Sequence, residues 1–321
     1  MRKNLLLLSL IFSIFFTGFA ATVANGQLSY FPTRRYTAQI NGATISYTIT
    51  GRGEPLVLIH GYPLNGDLFD RQRQLLSLGF RVITLDLRGF GRSVAPDDAG
   101  SIDLYAQDVI GLLNLLNIQQ AIIGGHSMGG AVTLRLYQIA PQRFRGMILN
   151  DPAAFPPPTV EQFLWRGYQQ QSREQGAASL VPLLLPEFLT GKTRNERPEL
   201  VTEVTNLILA ASVNGLVGGA RALETRPDFR PLFPTIAVPV LLLYGEEDSL
   251  TPMEQGRMLR QMIPNSELAI VRGATHGVIR EEPLISNFII TSWANRNFGL
   301  KIQNDAPENI NERLIVDEKL R

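Results

Sequence analysis

Short apolar runs that alternate with helix-forming segments restrict the fold of this sequence more than any other feature. Eight runs have the length and composition of β-strands, and helical spacing follows most of them. The predicted strands are Tyr36–Ile40, Ala43–Ile49, Leu56–Ile59, Arg81–Asp86, Ala121–Gly125, Gly146–Asn150, Val238–Tyr244 and Glu267–Val271. Fully apolar strands that alternate with helices indicate a mostly parallel sheet covered on both faces. The sequence therefore predicts an α/β fold.

The alternation of strands and helices stops within residues 153–234, where no strand pattern is convincing. Helical spacing is present there at Val160–Arg173 and Leu200–Asn214. We therefore predict a helical cap, inserted into a core formed by residues 27–152 and 235–299. Residues 300–321 are mostly polar and charged, and we predict that they form a tail outside the core.

The N-terminus has the plan of a secretory signal peptide. Arg2 and Lys3 precede the apolar run Leu5–Phe16, and small residues follow it. We predict that residues 1–26 are a signal peptide, with cleavage after Ala20 or Ala24. The alternative is an uncleaved anchor, because residues 5–24 reach the roughly 20 residues that a membrane span needs. In both cases the protein is expected to be exported, to the periplasm or the outside.

Composition excludes several functional classes. The chain has no cysteine, which removes disulfide scaffolds, thiol nucleophiles and zinc–thiolate sites. Its three histidines lie far apart in sequence, so no metal site is predicted. The formal net charge is +1 and the arginines are scattered, which argues against a nucleic-acid partner. The expected partner is a small molecule, with membrane contact only through an uncleaved N-terminal helix; no feature specifies an oligomeric state.

Two glycine-rich segments raise the question of a nucleotide cofactor. Gly89-Phe90-Gly91 lacks the third glycine and the helix that a dinucleotide fingerprint requires. The segment Gly124–Gly130 contains no Walker lysine. No cofactor is therefore predicted, and the first segment is interpreted as a loop close to the pocket.

The strongest chemical motif is Gly125-His126-Ser127-Met128-Gly129, which lies directly between an apolar strand and a helix. A Gly-x-Ser-x-Gly motif in this context is typical of a nucleophile elbow, a strained turn that exposes the serine hydroxyl above the sheet. Glycines flank such a serine because side chains would clash in the tight turn. Ser127 is therefore the candidate nucleophile, and the alternative is an ordinary serine at a tight strand–helix turn.

A serine hydroxyl needs a base, and in folds with such an elbow an acid and then a histidine follow in the sequence. His276 lies in a loop after the last predicted strand and is the candidate base. Asp248 follows the strand that ends at Tyr244 and is the candidate acid, which would orient the imidazole. Asp151 directly follows another strand and is the alternative acid.

The oxyanion of an acyl-transfer intermediate must be met by preset donors. The backbone N–H of Met128, at the start of the predicted helix, is one candidate. We assign the second to the backbone N–H of Tyr62, in the loop His60-Gly61-Tyr62-Pro63 that follows a buried strand.

The sequence resembles the α/β-hydrolase superfamily from about Tyr36 to Phe298. Five pieces in the family's order support the resemblance: His60-Gly61-Tyr62-Pro63, Asp86–Ser93, Gly125–Gly129, Asp248 and His276. The segment from His60 to Ser93 is similar to cofactor-free haloperoxidases and aryl esterases, and also to capped esterases and epoxide hydrolases. Serine at position 127 argues against epoxide hydrolases and haloalkane dehalogenases, which use aspartate there.

The resemblance implies an eight-stranded sheet with a helical cap between the sixth and seventh strands. It also implies that Asp86 and Ser93 belong to a structural loop. The leading functional prediction is a serine hydrolase that acts on carboxylic esters or related acyl substrates through an acyl-enzyme. Perhydrolase or haloperoxidase-like, peptidase, lyase and C–C hydrolase activities with the same triad are alternatives, as is a small-molecule receptor on a hydrolase fold.

Aromatic and aliphatic residues of the predicted cap are candidates for the pocket lining: Phe155, Phe163, Leu164, Trp165, Leu184 and Phe188. They could equally pack the cap against the core, because an apolar helical stripe is buried in either case. A mostly apolar lining would favour a neutral ester or lactone of small to medium size.

Overall fold

The computed structural model describes residues 23–24, 27–28, 31–303, 305–307 and 309–316. The chain divides into two compact units, Met1–Tyr30 and Phe31–Arg321. In the first unit, strand β1 (Val23–Ala24) pairs antiparallel with strand β2 (Gln27–Leu28). The rest of the predicted signal peptide or anchor lies outside the described residues.

A nine-stranded mixed sheet forms the centre of the second unit. Its strands are β3 (Arg34–Ile40), β4 (Ala43–Thr50), β5 (Glu54–Ile59), β6 (Phe80–Leu85), β7 (Ala121–His126), β8 (Phe144–Asn150), β9 (Val240–Gly245), β10 (Ser266–Val271) and β11 (Leu314–Val316). They lie in the order β11-β10-β9-β8-β7-β5-β6-β4-β3. The six strands from β10 to β6 in this order are parallel, and antiparallel pairs close both ends. The predicted α/β fold is confirmed.

The first hairpin of the sheet shows how a local sequence signal sets strand register. Asn41 and Gly42 join β3 to β4 and have φ values of 46° and 76°. A two-residue turn with positive φ at both positions matches the right-handed twist of the flanking strands, and Asn-Gly is the dipeptide that favours it. The strands predicted on either side of this turn pair antiparallel as a hairpin.

Helices surround the sheet. They are α1 (Asp70–Leu76), α2 (Ile102–Leu115), α3 (Met128–Ile139), α4 (Thr159–Gln175), α5 (Val181–Phe188), α6 (Gly191–Glu196), α7 (Pro198–Leu209), α8 (Val213–Glu224), α9 (Met253–Met262), α10 (Val278–Glu281), α11 (Pro283–Phe298) and α12 (Ile310–Arg313). Short 3₁₀ helices occur at Gly66–Phe69, Pro141–Arg143, Ala177–Leu180 and Phe233–Thr235. The Ser101 hydroxyl accepts the Leu104 N–H at 3.1 Å and thereby satisfies a free N–H at the start of α2.

The segment between β8 and β9 is fully described, and it contains the five α-helices α4 to α8 and no strand. We call the five helices α4 to α8 the cap. The single helix predicted over Leu200–Asn214 is wrong, because α7 ends at Leu209 and α8 begins after Ser212, with a bend of 91° between them. Ser212 separates the two helices, because its hydroxyl accepts the Gly215 N–H at 3.1 Å and thereby caps the N-terminus of α8.

No single helix among the described residues has the length and hydropathy of a membrane span. The bent pair of α7 and α8 meets that test only when its two helices are taken together.

The described part of residues 300–321 contradicts the prediction of a tail outside the core. Strand β11 pairs antiparallel with β10, which makes the sheet nine-stranded instead of eight-stranded. Leu300, Ile302 and Ile310 pack against the hydrophobic core. A few apolar side chains are enough to dock a mostly polar segment when the open edge of a sheet offers backbone hydrogen bonds.

The central strands are buried along their whole length. Every residue of β7 and β9 is inaccessible to solvent, as expected for parallel strands with helices on both faces. The loops that follow β5, β7, β9 and β10 leave the sheet at the same edge, because these strands are parallel neighbours or near neighbours. Clefts at the carboxyl edge of such sheets are the usual place for a binding site.

Candidate active site

Ser127 occupies a strained turn between β7 and α3. Its φ and ψ are 55° and −117°, in a region that non-glycine residues rarely adopt. Hydrogen bonds fix the turn on both sides: the Ser127 N–H donates to the Asn150 carbonyl at 3.0 Å, and the Ser127 carbonyl accepts the Gly130 N–H at 2.8 Å. Strain of this kind persists only where the surroundings enforce it, which is typical of functional sites.

The two glycines of the motif are required by contacts of the backbone. A Cβ built at Gly125 would lie 2.0 Å from the carbonyl oxygen of Gly129, and one built at Gly129 would lie 2.2 Å from that of Ile59. Both distances are far below a van der Waals contact. The motif therefore has glycine at these positions because strand β7, helix α3 and the end of β5 are in backbone contact.

His276 and Asp248 form a buried hydrogen-bonded pair. The Nδ1 of His276 lies 2.7 Å from Oδ2 of Asp248, and both side chains are at most 1% exposed. Because an ionised carboxylate can only accept, Nδ1 must hold the proton in this pair. The structure thus brings together the two residues that the sequence proposes as base and acid.

The carboxylate of Asp248 is also held by the turn that follows it. Its Oδ1 accepts the N–H groups of Leu250 and Thr251 at 2.8 and 3.0 Å, and its Oδ2 accepts the Thr251 hydroxyl at 2.7 Å. Burial opposes ionisation of Asp248, but the charge and hydrogen bond of His276 and the bonds from Thr251 outweigh it and lower the pKa of Asp248.

Thr251 is a site residue that the sequence analysis missed. Its hydroxyl also lies 3.3 Å from Nδ1 of His276 and 3.1 Å from the carbonyl oxygen of Asp151. The available signal is the Asp-x-x-Thr spacing, since an aspartate often accepts hydrogen bonds from residues two and three positions later in a turn.

Asp151, the alternative acid, lies in the same buried cluster with different partners. Its carboxyl oxygens accept the Gly245 N–H at 3.0 Å and the Asn150 side-chain amide at 2.7 Å. Burial, followed by the negative charge of Asp248, raises the pKa of Asp151 well above its ordinary value. Of the two acids, Asp248 is the one that is hydrogen-bonded to Nδ1 of His276.

Ser127 and His276 line one cavity of about 380 Å³, beneath the cap. The second ring nitrogen of His276, Nε2, is buried and has no hydrogen-bond partner among the described residues. Because Asp248 holds Nδ1, Nε2 is the nitrogen with a free lone pair. The arrangement leaves a basic nitrogen and a strained serine at the same cavity.

Two backbone N–H groups border the serine. Met128 is the first residue of α3, so its N–H has no partner within the helix. Tyr62 follows Gly61, where an added Cβ would lie 2.8 Å from Cβ of Ser127, so this loop passes directly beside the elbow. Within the described part of the chain, neither of these N–H groups donates to a backbone acceptor. These are the two donors that the sequence assigns to an oxyanion hole.

The other two histidines support the loops of the site. His126 Nε2 lies 2.7 Å from the His276 carbonyl oxygen, and the two rings are 4.7 Å apart. His60 Nε2 accepts the Leu87 N–H at 2.8 Å, and its Nδ1 lies 2.9 Å from the Gly61 carbonyl. Burial lowers the pKa of both rings, that of His126 to about 3, so both are neutral near pH 7.

The ring nitrogens of His126 and His276 and a carboxyl oxygen of Asp151 lie within 4.8 Å of one another. This is the cluster of described residues that comes nearest to a metal-ligand set. Two of its nitrogens, Nε2 of His126 and Nδ1 of His276, are already hydrogen-bonded within the protein. The other ring nitrogen of each histidine, Nδ1 of His126 and Nε2 of His276, has no hydrogen-bond partner among the described residues.

The loop containing Asp86 and Ser93 joins the core to the cap. Asp86 accepts the N–H groups of Gly66 and Arg92 at 2.8 and 2.9 Å, and the Ser93 hydroxyl donates to the Asp86 carbonyl at 2.6 Å. The Gly89 carbonyl accepts the N–H and the hydroxyl of Ser212 at the start of α8. These bonds are structural. The Gly89-Phe90-Gly91 segment, which the sequence predicts as a loop close to the pocket, is the part of the loop that is hydrogen-bonded to the cap.

The cap supplies eight of the seventeen residues that line the cavity. Four of the six predicted lining residues line it, namely Leu164, Trp165, Leu184 and Phe188. Phe155 and Phe163 do not: Phe155 packs against Phe233 with ring centroids 5.8 Å apart, and Phe163 is 62% exposed on the outer side of α4. No local sequence pattern indicates the ion-paired members of the wall, Glu161 and Arg226, because only the packing of α4 beside the end of α8 brings them together.

Comparison with known proteins places this geometry in a family. The family model described as "alpha/beta hydrolase fold" matches residues 54–283. A 3-oxoadipate enol-lactonase of Acinetobacter baylyi is 30% identical over 254 residues, which cover 78% of this chain and 93% of that protein. A non-heme chloroperoxidase of Kitasatospora aureofaciens is 28% identical over 262 residues, 74% of this chain and 90% of the relative.

A solved structure of an esterase is also similar to this chain. A thermophilic esterase from Thermogutta terrifontis superposes with a TM-score of 0.79 at 29% identity, over 82% of this chain and 98% of that one. The residues that the family model matches, 54–283, include the cap and the loops that hold Ser127, Asp248 and His276.

Proposed function

The chain belongs to the α/β-hydrolase family and is a hydrolase, and from that premise we propose that it hydrolyses carboxylic esters through an acyl-enzyme on Ser127. One observation carries the proposal: the bond between Asp248 and Nδ1 of His276 leaves Nε2 as the unbonded nitrogen at a cavity that Ser127 also lines. A histidine held in this tautomer beside a serine is the arrangement that activates a hydroxyl for acyl transfer.

The proposed reaction has two halves. His276 Nε2 takes the hydroxyl proton as Ser127 Oγ attacks the ester carbonyl, and the oxyanion is met by the N–H groups of Tyr62 and Met128. The alcohol leaves with the proton returned by His276, which leaves the acyl group on Ser127. A water molecule, deprotonated by His276, then attacks the acyl-enzyme and releases the carboxylic acid. Asp248 stabilises the imidazolium in both halves.

A paired substitution tests the nucleophile. We expect Ser127→Ala to reduce kcat for 4-nitrophenyl butyrate by about 10⁶-fold, as for other triad serines. Ser249→Ala is the matched control, since Ser249 lines the same cavity without a place in the mechanism, and it should stay within a few-fold of the wild type. A serine-directed phosphonate should label Ser127 in the folded protein. Full esterase activity in Ser127→Ala would refute the acyl-enzyme mechanism.

Perhydrolysis is the second candidate, because one similar protein is named a non-heme chloroperoxidase. The chemistry needs only a change of the second nucleophile: hydrogen peroxide attacks the acyl-enzyme, the ester bond to Ser127 breaks, and a peracid leaves. Assays of peracid formation from an ester with added peroxide, beside the hydrolysis rate, separate the two activities. Peracid formation that is absent at a normal hydrolysis rate would leave esterase activity alone.

We further propose that the protein is exported through its N-terminal segment. The support is the order of Arg2 and Lys3, the apolar run Leu5–Phe16, and the small residues after it. N-terminal sequencing of the exported protein should show a new terminus after Ala20 or Ala24. An intact Met1 in a membrane fraction would instead indicate the anchor, and an intact Met1 in the soluble interior of the cell would contradict export.

A further inference from the structure

Two residues that line the catalytic cavity form an ion pair, Glu161 from α4 and Arg226 from just after α8. The other residues of the wall, apart from His276, are apolar or have neutral polar groups at pH 7. Arg226 is only 8% exposed. A buried guanidinium at the wall of a substrate cavity would ordinarily attract a carboxylate from the substrate.

Glu161 binds the guanidinium of Arg226 through both of its carboxylate oxygens. Nη1 of Arg226 donates to Oε1 of Glu161 at 2.5 Å, and Nη2 donates to Oε2 at 2.8 Å. The remaining bonds of Arg226 reach the carbonyl oxygens of Phe155 and Leu223 at 2.6 and 3.0 Å. The Trp165 indole N–H donates to Oε1 of Glu161 at 2.8 Å and fixes the carboxylate in place.

We propose that the Glu161–Arg226 pair makes the cavity selective for uncharged acyl groups, and that Glu161 is the specificity-determining residue that excludes anionic ones. The proposal rests on the esterase function proposed above. A substrate carboxylate would have to displace Glu161 from its bidentate contact with Arg226. The two carboxylates would then lie close together and repel each other. The aliphatic and aromatic wall, which includes Leu164, Leu184 and Phe188, suits a hydrocarbon chain.

A second ion pair nearby provides a control that distinguishes an effect on selectivity from an effect on the stability of the cap. Glu224, at the end of α8, accepts Arg166 and Gln169 of α4 at 2.5 and 2.7 Å. This pair joins the same two helices but does not line the cavity. If the Glu161–Arg226 pair only connected the two helices, removing the charge of Glu161 and removing that of Glu224 should change the substrate selectivity by similar amounts.

The experiment uses two esters that differ at one end of the acyl chain. 4-Nitrophenyl pentanoate ends in a methyl group, and mono-4-nitrophenyl glutarate, with the same number of carbons, ends in a carboxylate. We expect the wild type to favour the neutral ester by roughly 100-fold in kcat/KM. Glu161→Gln should lower this ratio by roughly 10- to 100-fold, chiefly through faster turnover of the glutarate, because Arg226 loses its internal counter-charge.

Two further variants complete the design. Glu224→Gln should leave the ratio within about two-fold of the wild type. The double variant Glu161→Gln with Arg226→Gln should return the ratio toward the wild-type value, since the gain in glutarate turnover requires the guanidinium. Thermal unfolding of each variant confirms that only folded protein is compared.

The results separate failure of this inference from failure of the proposed function. An unchanged ratio in folded Glu161→Gln, or an equal change in Glu224→Gln, would overturn the selectivity inference while hydrolysis of the pentanoate continued. If neither ester were hydrolysed, the esterase function would fail, and calorimetric binding of the two esters to Ser127→Ala would still decide selectivity. Equal dissociation constants for the two esters in that variant would overturn the inference.

Discussion

The core and the cap hold their functional residues by different means. In the core, β7 and β9 are wholly buried, and backbone contacts leave no room for a side chain at Gly125 or Gly129. In the cap, the 17-residue helix α4 buries only Gln169 and Ser172, and its ion pairs to Arg226 and Glu224 tie it to α8. Close packing therefore fixes the groups proposed for catalysis, whereas polar contacts between side chains hold helix α4 of the cap.

This contrast predicts that the largest effects come from the core. Asp248→Asn keeps the shape of the acid but removes the acceptor that holds the His276 tautomer, so kcat should fall by about 10⁴-fold. Asp151→Asn replaces a carboxyl that is bonded to Gly245 and Asn150 and not to His276, so kcat should stay within about ten-fold of the wild type. Steady-state kinetics on 4-nitrophenyl butyrate measure both.

The two substitutions form their own control, because both residues are buried acids of one cluster. A large loss of kcat confined to Asp151→Asn would assign the acid to Asp151 and contradict the geometry at His276.

Gly129→Ala tests the close packing of the core. The new Cβ would lie 2.2 and 2.7 Å from the carbonyl oxygens of Ile59 and His60, and backbone atoms there cannot move aside. We expect the free energy of unfolding to fall by more than about 4 kcal/mol, with little folded protein. Denaturant unfolding measures the change. A folded variant whose free energy of unfolding lies within about 1 kcal/mol of the wild type would show that the backbone around Gly129 can move to accommodate a side chain.

Acid sensitivity should also come from the core, which contains all three histidines of the chain. The pKa of His126 is about 3 in the folded protein and about 6.5 when unfolded. Between these values the unfolded state binds more protons, so stability falls as the pH drops from 6.5 toward 3. His60 and Asp248, whose pKa values are also lowered, act in the same direction, whereas Asp151, whose pKa is raised, opposes it.

His126→Gln isolates that effect, since its amide can still donate to the His276 carbonyl. Relative to this variant, the wild type should lose up to a few kcal/mol on acidification, at about 1.4 kcal/mol for each unit of pKa difference. Melting temperatures across the range measure the difference. A constant difference between the two proteins from pH 7 to pH 3 would contradict the low pKa.

The smallest effect is expected in the cap. Gly167 lies in the middle of α4, is exposed, and has no neighbour within 4 Å of an added Cβ. Gly167→Ala should therefore stabilise the protein by roughly 0.5–1 kcal/mol, through helix propensity alone, and leave kcat/KM unchanged. Denaturant unfolding and the ester assay test both statements. A loss of stability would show that α4 needs its flexibility here.

The difference between the two regions also explains what the sequence could predict. Most strands were predictable because they contribute apolar runs to a sheet covered on both faces, and the mostly exposed β3 because its residues alternate up to the turn Asn41-Gly42. Strand β11 was not, because three residues in a charged segment have no period, and their pairing with β10 depends on an edge formed elsewhere. In the cap, the break between α7 and α8 depends on the contact of Ser212 with Gly89, which lies 123 residues earlier.

The same reasoning applies to the candidate site. Ser127, Asp248 and His276 were predictable because each follows a recognisable strand at the carboxyl edge of the sheet. Thr251 and the Glu161–Arg226 pair were not, since their contacts depend on a turn and on a helix packing that no local pattern specifies.

The pairing of β11 with β10 has a consequence for handling the protein. Without residues 314–316, the outer side of β10 would present a row of free amides and carbonyls to solvent. Such a rim can recruit a strand from another molecule, so shortening the chain or joining a bulky fusion partner there would favour self-association at high concentration. A purification handle is therefore better placed away from the C-terminus.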